Sequence, residues 1–210
     1  MQRLFRERGP VPSEPSVARV EGLSLLEVTF TITLLAALSA AMAPTVAATV
    51  RNARTTRALL DGQKIRDAIN NFKANGFTIF TNNGTQLALN QVEFLYSDGD
   101  IPEAGSSTLW RNTTANSVND FLEEHLVTNS FNGLFAYSTL LAPIWRGAYL
   151  DGPVDPDPWG NRYAVNVIYL GPNVNDVVVV SAGPDEAVDT PDTGNALTPV
   201  DDDILVLVEA

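Results

Sequence analysis

The chain has 210 residues, 45% of them hydrophobic, and a formal net charge of −12 at pH 7. This length suits one globular domain with an extended element, and the acidic balance argues against a nucleic-acid partner, because phosphate binding needs clustered Lys and Arg. The absence of cysteine excludes disulfides and thiolate zinc sites, and the single histidine, His125, leaves little room for histidine-based catalysis.

The first predicted elements are a polar leader, residues 1–22, and an apolar run, residues 23–43, in which Glu27 is the only charged side chain. As a helix this run is about 31 Å long, which is enough to cross a bilayer. The leader carries four arginines, which favour a cytoplasmic location for it. A conventional secretory signal peptide, cleaved after small residues such as those at 36–43, is the alternative.

A short motif marks the junction of leader and apolar run. Gly22 is followed directly by Leu23, Glu27 comes four residues later, and Pro44 ends the run. This spacing resembles the processing motif of type IV prepilins and type II secretion pseudopilins. The resemblance implies that a prepilin peptidase cleaves after Gly22 and methylates the new amino terminus at Leu23, and that Glu27 and Pro44 serve assembly.

Glu27 is the residue whose chemistry bears most on this motif. A carboxylate inside an apolar segment is costly to bury and usually has a partner. The resemblance offers the amine of Leu23 in a neighbouring subunit, and such a pair would cancel two buried charges and set the stagger between subunits. The alternative is a glutamate at the membrane edge that reaches the aqueous phase or is protonated.

Beyond Pro44, apolar residues recur at helical spacing as far as Phe72. Asn75-Gly76 is typical of a helix C-cap. We therefore predict one helical segment, residues 23–75, that ends at about Ala74, with a transmembrane part at 23–43. Its first half is apolar on all sides, whereas its second half is amphipathic and must pack on a soluble domain.

The middle of the chain, residues 76–142, is rich in Asn, Thr, Ser and Gly and is predicted to be a variable loop region with short strands or turns. Ser117 and the residues after it resemble a capping box and predict a short helix at about 118–128. His125 lies in that helix and is expected to be a surface or half-buried polar residue.

The C-terminal region, residues 143–210, is predicted to be a β-sheet. The segments Arg162–Leu170, Val177–Ser181 and Ile204–Glu209 are rich in β-branched residues and bounded by turn residues. The expected fold class is therefore α+β, with a long N-terminal helix packed on a small C-terminal antiparallel sheet. Asp157-Pro158-Trp159-Gly160 is a sound turn sequence, and in this order of elements it resembles the major pseudopilin of type II secretion, which implies the pilin fold.

An acidic loop, residues 181–203, completes the pattern and contains no Lys or Arg. Its ends resemble the calcium loop of major pseudopilins. By position, that resemblance implies a Ca²⁺ site with Asp185 and Asp203 as the best ligands and Asp202 next, with the carbonyl of Ala182 and with assistance from Ser181. Calcium takes six to eight oxygens from carboxylates, carbonyls and water. The alternative is a solvated acidic loop without an ion.

The resemblance implies a structural function without enzymatic activity. The chain would be a single-pass protein of the bacterial inner membrane with its C-terminal domain in the periplasm. It would form a homopolymer, a periplasmic filament that drives protein export across the outer membrane. Its partners would be the peptidase, minor pseudopilins, an inner-membrane assembly platform and membrane lipid. A surface type IV pilin for adhesion or motility is the first alternative, and a signal-anchored periplasmic enzyme is the second, although the sequence shows no catalytic constellation.

Overall fold

The computed structural model describes residues 24–81, 83–84, 91–103, 105, 110, 121–131, 134–171 and 175–209. The predicted leader, its cleavage site at Gly22 and the methylated residue Leu23 lie outside the described residues. Contacts divide the chain into a unit that ends at Ala47 and a larger unit that begins at Ala48. The fold is α+β, with one long helix and a small antiparallel sheet.

The first unit consists, in its described part, of the beginning of helix α1, Leu25–Ala74. Ser24 caps this helix, because its Oγ accepts a 3.2 Å hydrogen bond from the backbone N–H of Glu27. The helix passes through Pro44 without interruption. None of the described side chains up to Ala47 is buried, although the segment is almost entirely apolar. Among the described residues, α1 is the one helix long and apolar enough to span a membrane.

The part of α1 in the larger unit buries one face. Its buried residues recur three or four positions apart, as the amphipathic pattern predicts: Ala58, Gly62, Ile65, Ala68, Ile69 and Phe72. Gly62 permits close packing on the sheet, because a Cβ placed there would lie 2.8 Å from Cγ2 of Val206. The helix ends at Ala74, where Gly76 has a φ of +94° and donates a 2.8 Å hydrogen bond to the carbonyl of Lys73.

Six strands follow in the described part of the larger unit, and four of them form the sheet. In chain order they are β1 (Leu95–Tyr96), β2 (Ser130–Phe131), β3 (Leu134–Phe135), β4 (Ala164–Val165), β5 (Val177–Ser181) and β6 (Ile204–Glu209). The sheet order is β1-β4-β5-β6, and every pairing in it is antiparallel. Strands β2 and β3 form a separate hairpin. Val179 of β5 and Val206 of β6 face each other in register and pack into the core with Phe72.

The observed strands correct one prediction. Segments Val177–Ser181 and Ile204–Glu209 are strands with the predicted bounds, but the segment Arg162–Leu170 contains only β4 and then a 3₁₀ turn. The side chain of Asn166 accounts for the change. Its Oδ1 accepts a 2.7 Å hydrogen bond from the N–H of Val178, while its Nδ2 donates to two carbonyls. The backbone therefore turns away after Val165.

The predicted short helix at 118–128 is described only from residue 121, and its capping box at Ser117 lies outside the described residues. The observed segment ends in a π-helical turn, Glu124–Thr128. His125 is fully buried, so the prediction of a surface or half-buried side chain is wrong. Its Nδ1 lies 2.8 Å from the hydroxyl of Tyr137, and its ring meets Phe80 edge-on.

Candidate cation-binding site

The site is built outward from the turn at residues 157–160. Asp157 is buried, and its Oδ1 accepts hydrogen bonds of 3.0 Å from the N–H of Trp159 and 2.9 Å from that of Asn161. Gly160 adopts a φ of +103°, a conformation that favours glycine, and its N–H donates to the carbonyl of Asp157. These contacts make the predicted Asp-Pro-Trp-Gly turn a rigid support.

Ser181, the last residue of β5, connects this turn to the acidic loop. Its Oγ donates a 2.7 Å hydrogen bond to Oδ2 of Asp157 and accepts one of 3.3 Å from the N–H of Gly183. The hydroxyl predicted to assist a metal ion is therefore engaged in a protein contact. Ala182, the predicted carbonyl ligand, is buried between Ser181 and the next turn.

A 3₁₀ turn, Gly183–Asp185, brings the two ends of the acidic loop together. Gly183 has a φ of +70°, and a Cβ there would lie 2.2 Å from the carbonyl oxygen of Asp202, so only glycine permits this approach. The N–H of Asp185 then donates a 3.2 Å hydrogen bond to Oδ2 of Asp202. Two of the predicted ligands are thus in direct contact.

Asp203 is the most buried carboxylate of the predicted set, with 6% of its surface exposed. Its Oδ2 accepts hydrogen bonds from the N–H groups of Asp189 and Thr190 and from the Thr190 hydroxyl, at 3.0, 2.7 and 2.6 Å. Its Oδ1 is buried and has no hydrogen-bond partner in the part of the chain that the structure describes, and the same holds for Oδ1 of Asp202. Burial raises the pKa of both carboxyl groups above the ordinary value.

Three carboxylates converge beside these residues. Asp185, Asp189 and Asp201 each place a ligand oxygen within 4.8 Å of the others. Asp185 belongs to the predicted ligand set, whereas the sequence indicates Asp189 and Asp201 only as members of the acidic loop. Asp201 reaches the cluster through a left-handed backbone conformation, with a φ of 53°, which its sequence position does not reveal.

The remaining predicted site residues lie in the other unit. Glu27 is exposed in the first turn of α1, where its backbone carbonyl accepts a 2.7 Å hydrogen bond from the hydroxyl of Thr31. In the described part of the chain, which begins at residue 24, the Glu27 carboxylate forms no ion pair. Its predicted partner, the amine of Leu23, belongs to a residue outside the described ranges.

No protein-family model, curated protein or solved structure matches this chain. Its function must therefore be inferred from the residues themselves. The acidic loop supplies carboxylates without a neighbouring base, and between Ser181 and Asp203 there is no Lys or Arg to neutralise them. Hard oxygen donors of this kind suit Ca²⁺, and the two buried carboxylate oxygens that have no hydrogen-bond partner among the described residues fit such an ion.

Proposed function

We propose that this chain is a pilin-like structural subunit that polymerises through α1 into a type II secretion pseudopilus. The observation that carries the proposal is the division of α1 into an apolar part without buried side chains, which bears Glu27, and a part that packs on an antiparallel sheet. An exposed apolar helix needs lipid or other helices around it. The pilin fold gives both halves a role, because the first anchors and polymerises while the second carries the soluble domain.

Glu27 would make assembly selective for chains that have been cleaved after Gly22. Its side chain is exposed among apolar neighbours. Transfer of this helix into lipid or a helix bundle would therefore bury an unpaired carboxylate unless a cation lay beside it. Cleavage after Gly22 would create such a cation on Leu23. A processed neighbour would then provide the partner that an uncut chain lacks.

The cellular setting follows from the same proposal. The chain would be held in the bacterial inner membrane with its sheet domain in the periplasm, and the peptidase, minor pseudopilins and an assembly platform would act on it. The turn at Asp157 and the acidic loop favour the pseudopilus. The long polar region 76–142 favours the second candidate, a surface type IV pilin for adhesion or motility.

We propose further that the acidic loop binds Ca²⁺. Asp185, Asp189 and Asp201 would hold the ion, and Asp202 and Asp203 would contribute the oxygens that have no partner in the described structure. The ion would neutralise the cluster and fasten the loop to β6, which begins directly after Asp203. A chain without cysteine has no disulfide to serve this purpose.

Processing and assembly can be tested separately by co-expression with a prepilin peptidase. The intact mass should show loss of residues 1–22 and gain of one methyl group. Gly22→Lys should prevent cleavage, whereas Glu27→Ala should be cleaved and should not enter a sheared, sedimentable filament fraction. A wild-type chain that stays full-length and monomeric beside an active peptidase would overturn the proposal.

A further inference from the structure

A loop on the larger unit presents two leucines to solvent. Residues 138–145, here called the leucine loop, are closed by a 2.7 Å hydrogen bond from the N–H of Trp145 to the carbonyl of Ser138. The Ser138 hydroxyl accepts the N–H groups of Leu140 and Leu141 at 3.2 and 2.7 Å. Leu140 is 86% exposed and Leu141 is 74% exposed. The backbone is therefore held in a defined turn with an apolar tip.

The leucine loop is fixed to the core at both ends. Tyr137, which precedes it, is buried beside His125, and the ring of Trp145 meets that of Tyr149 edge-on at 5.7 Å between centroids. Pro143 lies beside the helix C-cap, because a Cβ on Gly76 would come within 3.4 Å of its Cβ. The loop thus projects from the C-terminal end of α1. Removing apolar surface from water is favourable, so this exposed tip favours burial against a partner surface.

A groove lies along α1 in the same unit. It has a volume of about 1250 Å³ and runs between the helix face from Ala53 to Asn71 and the segment Tyr149–Asp155. Leu60, Pro153 and Val154 provide apolar lining, and Leu60 is 52% exposed. We call it the helix groove.

The charges of the two surfaces complement each other. Arg146 is exposed, is the only charged residue from 138 to 150, and forms no ion pair in the described part of the chain. In the helix groove, Arg57 and Lys64 are both paired with Asp61, at 3.4 and 2.7 Å. Asp151 at the groove edge is exposed and has no such cation among the residues described. Among the described residues, Arg146 of the loop is therefore a cation without an ion pair and Asp151 of the groove edge an anion without one.

We propose that the leucine loop of one copy inserts into the helix groove of a second copy, with Arg146 facing Asp151 of that copy. The leucine loop adjoins the end of the groove at Asn71 and Tyr149, whereas Leu60 lies 14 residues before the helix end at Ala74, about 21 Å along the helical rise. A head-to-tail contact between two different patches passes from copy to copy and gives either a ring or an open filament, and the proposed filament requires the open form. The inference rests on the proposed filament and adds a second, sheet-domain contact to the one made by the apolar helix.

The absence of native cysteine makes cross-linking of the full-length chain in membranes the direct test. Leu140→Cys combined with Leu60→Cys should give a ladder of multimers with a short bismaleimide. Either single variant should give no ladder. The matched control is Leu207→Cys with Leu60→Cys, in which an exposed leucine of β6 replaces the loop leucine, and it should also give no ladder. The inference would be overturned if the first pair gave no ladder or if the β6 pair gave an equal one. Dimers of Leu140→Cys alone, or an adduct with a different protein, would also overturn it.

A second pair separates this inference from the proposed filament. Leu26→Cys with Leu34→Cys reports contacts of the apolar helix. A ladder from this pair without one from Leu140 and Leu60 would leave the filament standing and refute the groove contact. Failure of both pairs would refute both proposals, whereas a ladder only from Leu140 and Leu60 would support the groove contact and count against polymerisation through the helix.

The charge pairing has its own test in the Leu140→Cys, Leu60→Cys background. Arg146→Glu should lower the yield of the ladder several-fold, because it places two carboxylates at one contact. Adding Asp151→Lys to that variant should restore the yield. An unchanged yield with Arg146→Glu, or no recovery in the charge-swapped variant, would contradict the pairing.

Discussion

Ser181 and Asp157 are joined by a 2.7 Å hydrogen bond that links the end of β5 to the turn at residues 157–160. The Ser181 hydroxyl donates to Asp157 and accepts from the N–H of Gly183, so it holds the start of the acidic loop against the turn.

Ser181→Ala should lower the free energy of unfolding by about 1–3 kcal/mol, because it leaves Oδ2 of buried Asp157 without its partner. The loss should be the same with calcium and with chelator, as measured by thermal melting of the full chain in detergent. Ser181→Thr, which keeps the hydroxyl, is the control. A calcium effect that disappears in Ser181→Ala would assign the hydroxyl to the ion instead.

Removal of calcium should lower the melting temperature of the wild-type chain, since an ion that binds only the folded state adds about 2.7 kcal/mol at 100 times its Kd. Asp185→Asn should melt like the chelated protein under both conditions. Glu123→Gln, which alters an exposed acid far from the loop in sequence, should respond to calcium as wild type does. A melting temperature unaffected by chelator would refute the site.

Asp203→Asn should affect the stability of the calcium-free chain and its stabilisation by calcium differently. Without calcium, Oδ1 of Asp203 is a buried, negatively charged oxygen with no hydrogen-bond partner among the described residues. The neutral asparagine should therefore leave the free energy of unfolding of the chelated protein unchanged or raise it by up to about 3 kcal/mol. With calcium, the variant should gain less than wild type. Strong destabilisation of the chelated variant would show that the carboxylate is held by contacts beyond those described.

The pH dependence of Asp203 has a defined sign. Its pKa is raised above the ordinary 3.8 by burial, so the folded chain holds this proton more tightly than the unfolded chain. The resulting stabilisation is present below pH 3.8 and is lost as the pH rises through the folded pKa. Chelated Asp203→Asn should lack that part of the decline, which denaturant titrations of both proteins at a series of pH values will show.

Gly62→Ala should destabilise the sheet domain by about 1–3 kcal/mol, because the new methyl group would lie 2.8 Å from Cγ2 of Val206. Alanine improves helix propensity by about 1 kcal/mol, so the steric cost must exceed that gain for the prediction to hold. In the Val206→Ala background the same substitution should cost less. Equal costs in both backgrounds would show that the two residues are not coupled.

Tyr137 and Tyr163 predict an alkaline limit to stability. Burial raises the pKa of both hydroxyls, and the carboxylates of Asp61 and Asp157 add to the effect at Tyr163. Their stabilisation is complete below the ordinary value of 10.0 and is lost as the pH rises through the folded values. Tyrosinate absorbance should show both groups titrating only with unfolding. Their ionisation in the folded chain near pH 10 would contradict the prediction.

The parts of the fold that follow local patterns were predictable from sequence. The apolar spacing and the Asn75-Gly76 cap indicate α1 and its end, and β-branched runs indicate β5 and β6. Strand β1 and the turn after Val165 were not, because β1 is only Leu95–Tyr96 and the turn depends on contacts of Asn166 with distant backbone. Burial of His125 likewise results from its long-range aromatic neighbours.

The candidate site shows the same limit. The resemblance to the pseudopilin calcium loop implied Asp185, Asp202 and Asp203 as ligands. The structure places Asp185 against Asp202, and one oxygen each of Asp202 and Asp203 has no hydrogen-bond partner among the described residues. The sequence could not single out Asp189 and Asp201, because their approach to Asp185 depends on how the intervening loop folds.

The ion pair between Lys73 in the last turn of α1 and Glu209 at the end of β6 has a mechanical consequence. Together with the interlock of Gly62 and Val206, it fastens the final strand to the helix at two separate points. A force applied along the axis of α1 would load the side-chain contacts between the helix and β6 in shear. It would not break the backbone hydrogen bonds of β6 one after another. Single-molecule stretching of Lys73→Ala should therefore show rupture at lower force than wild type.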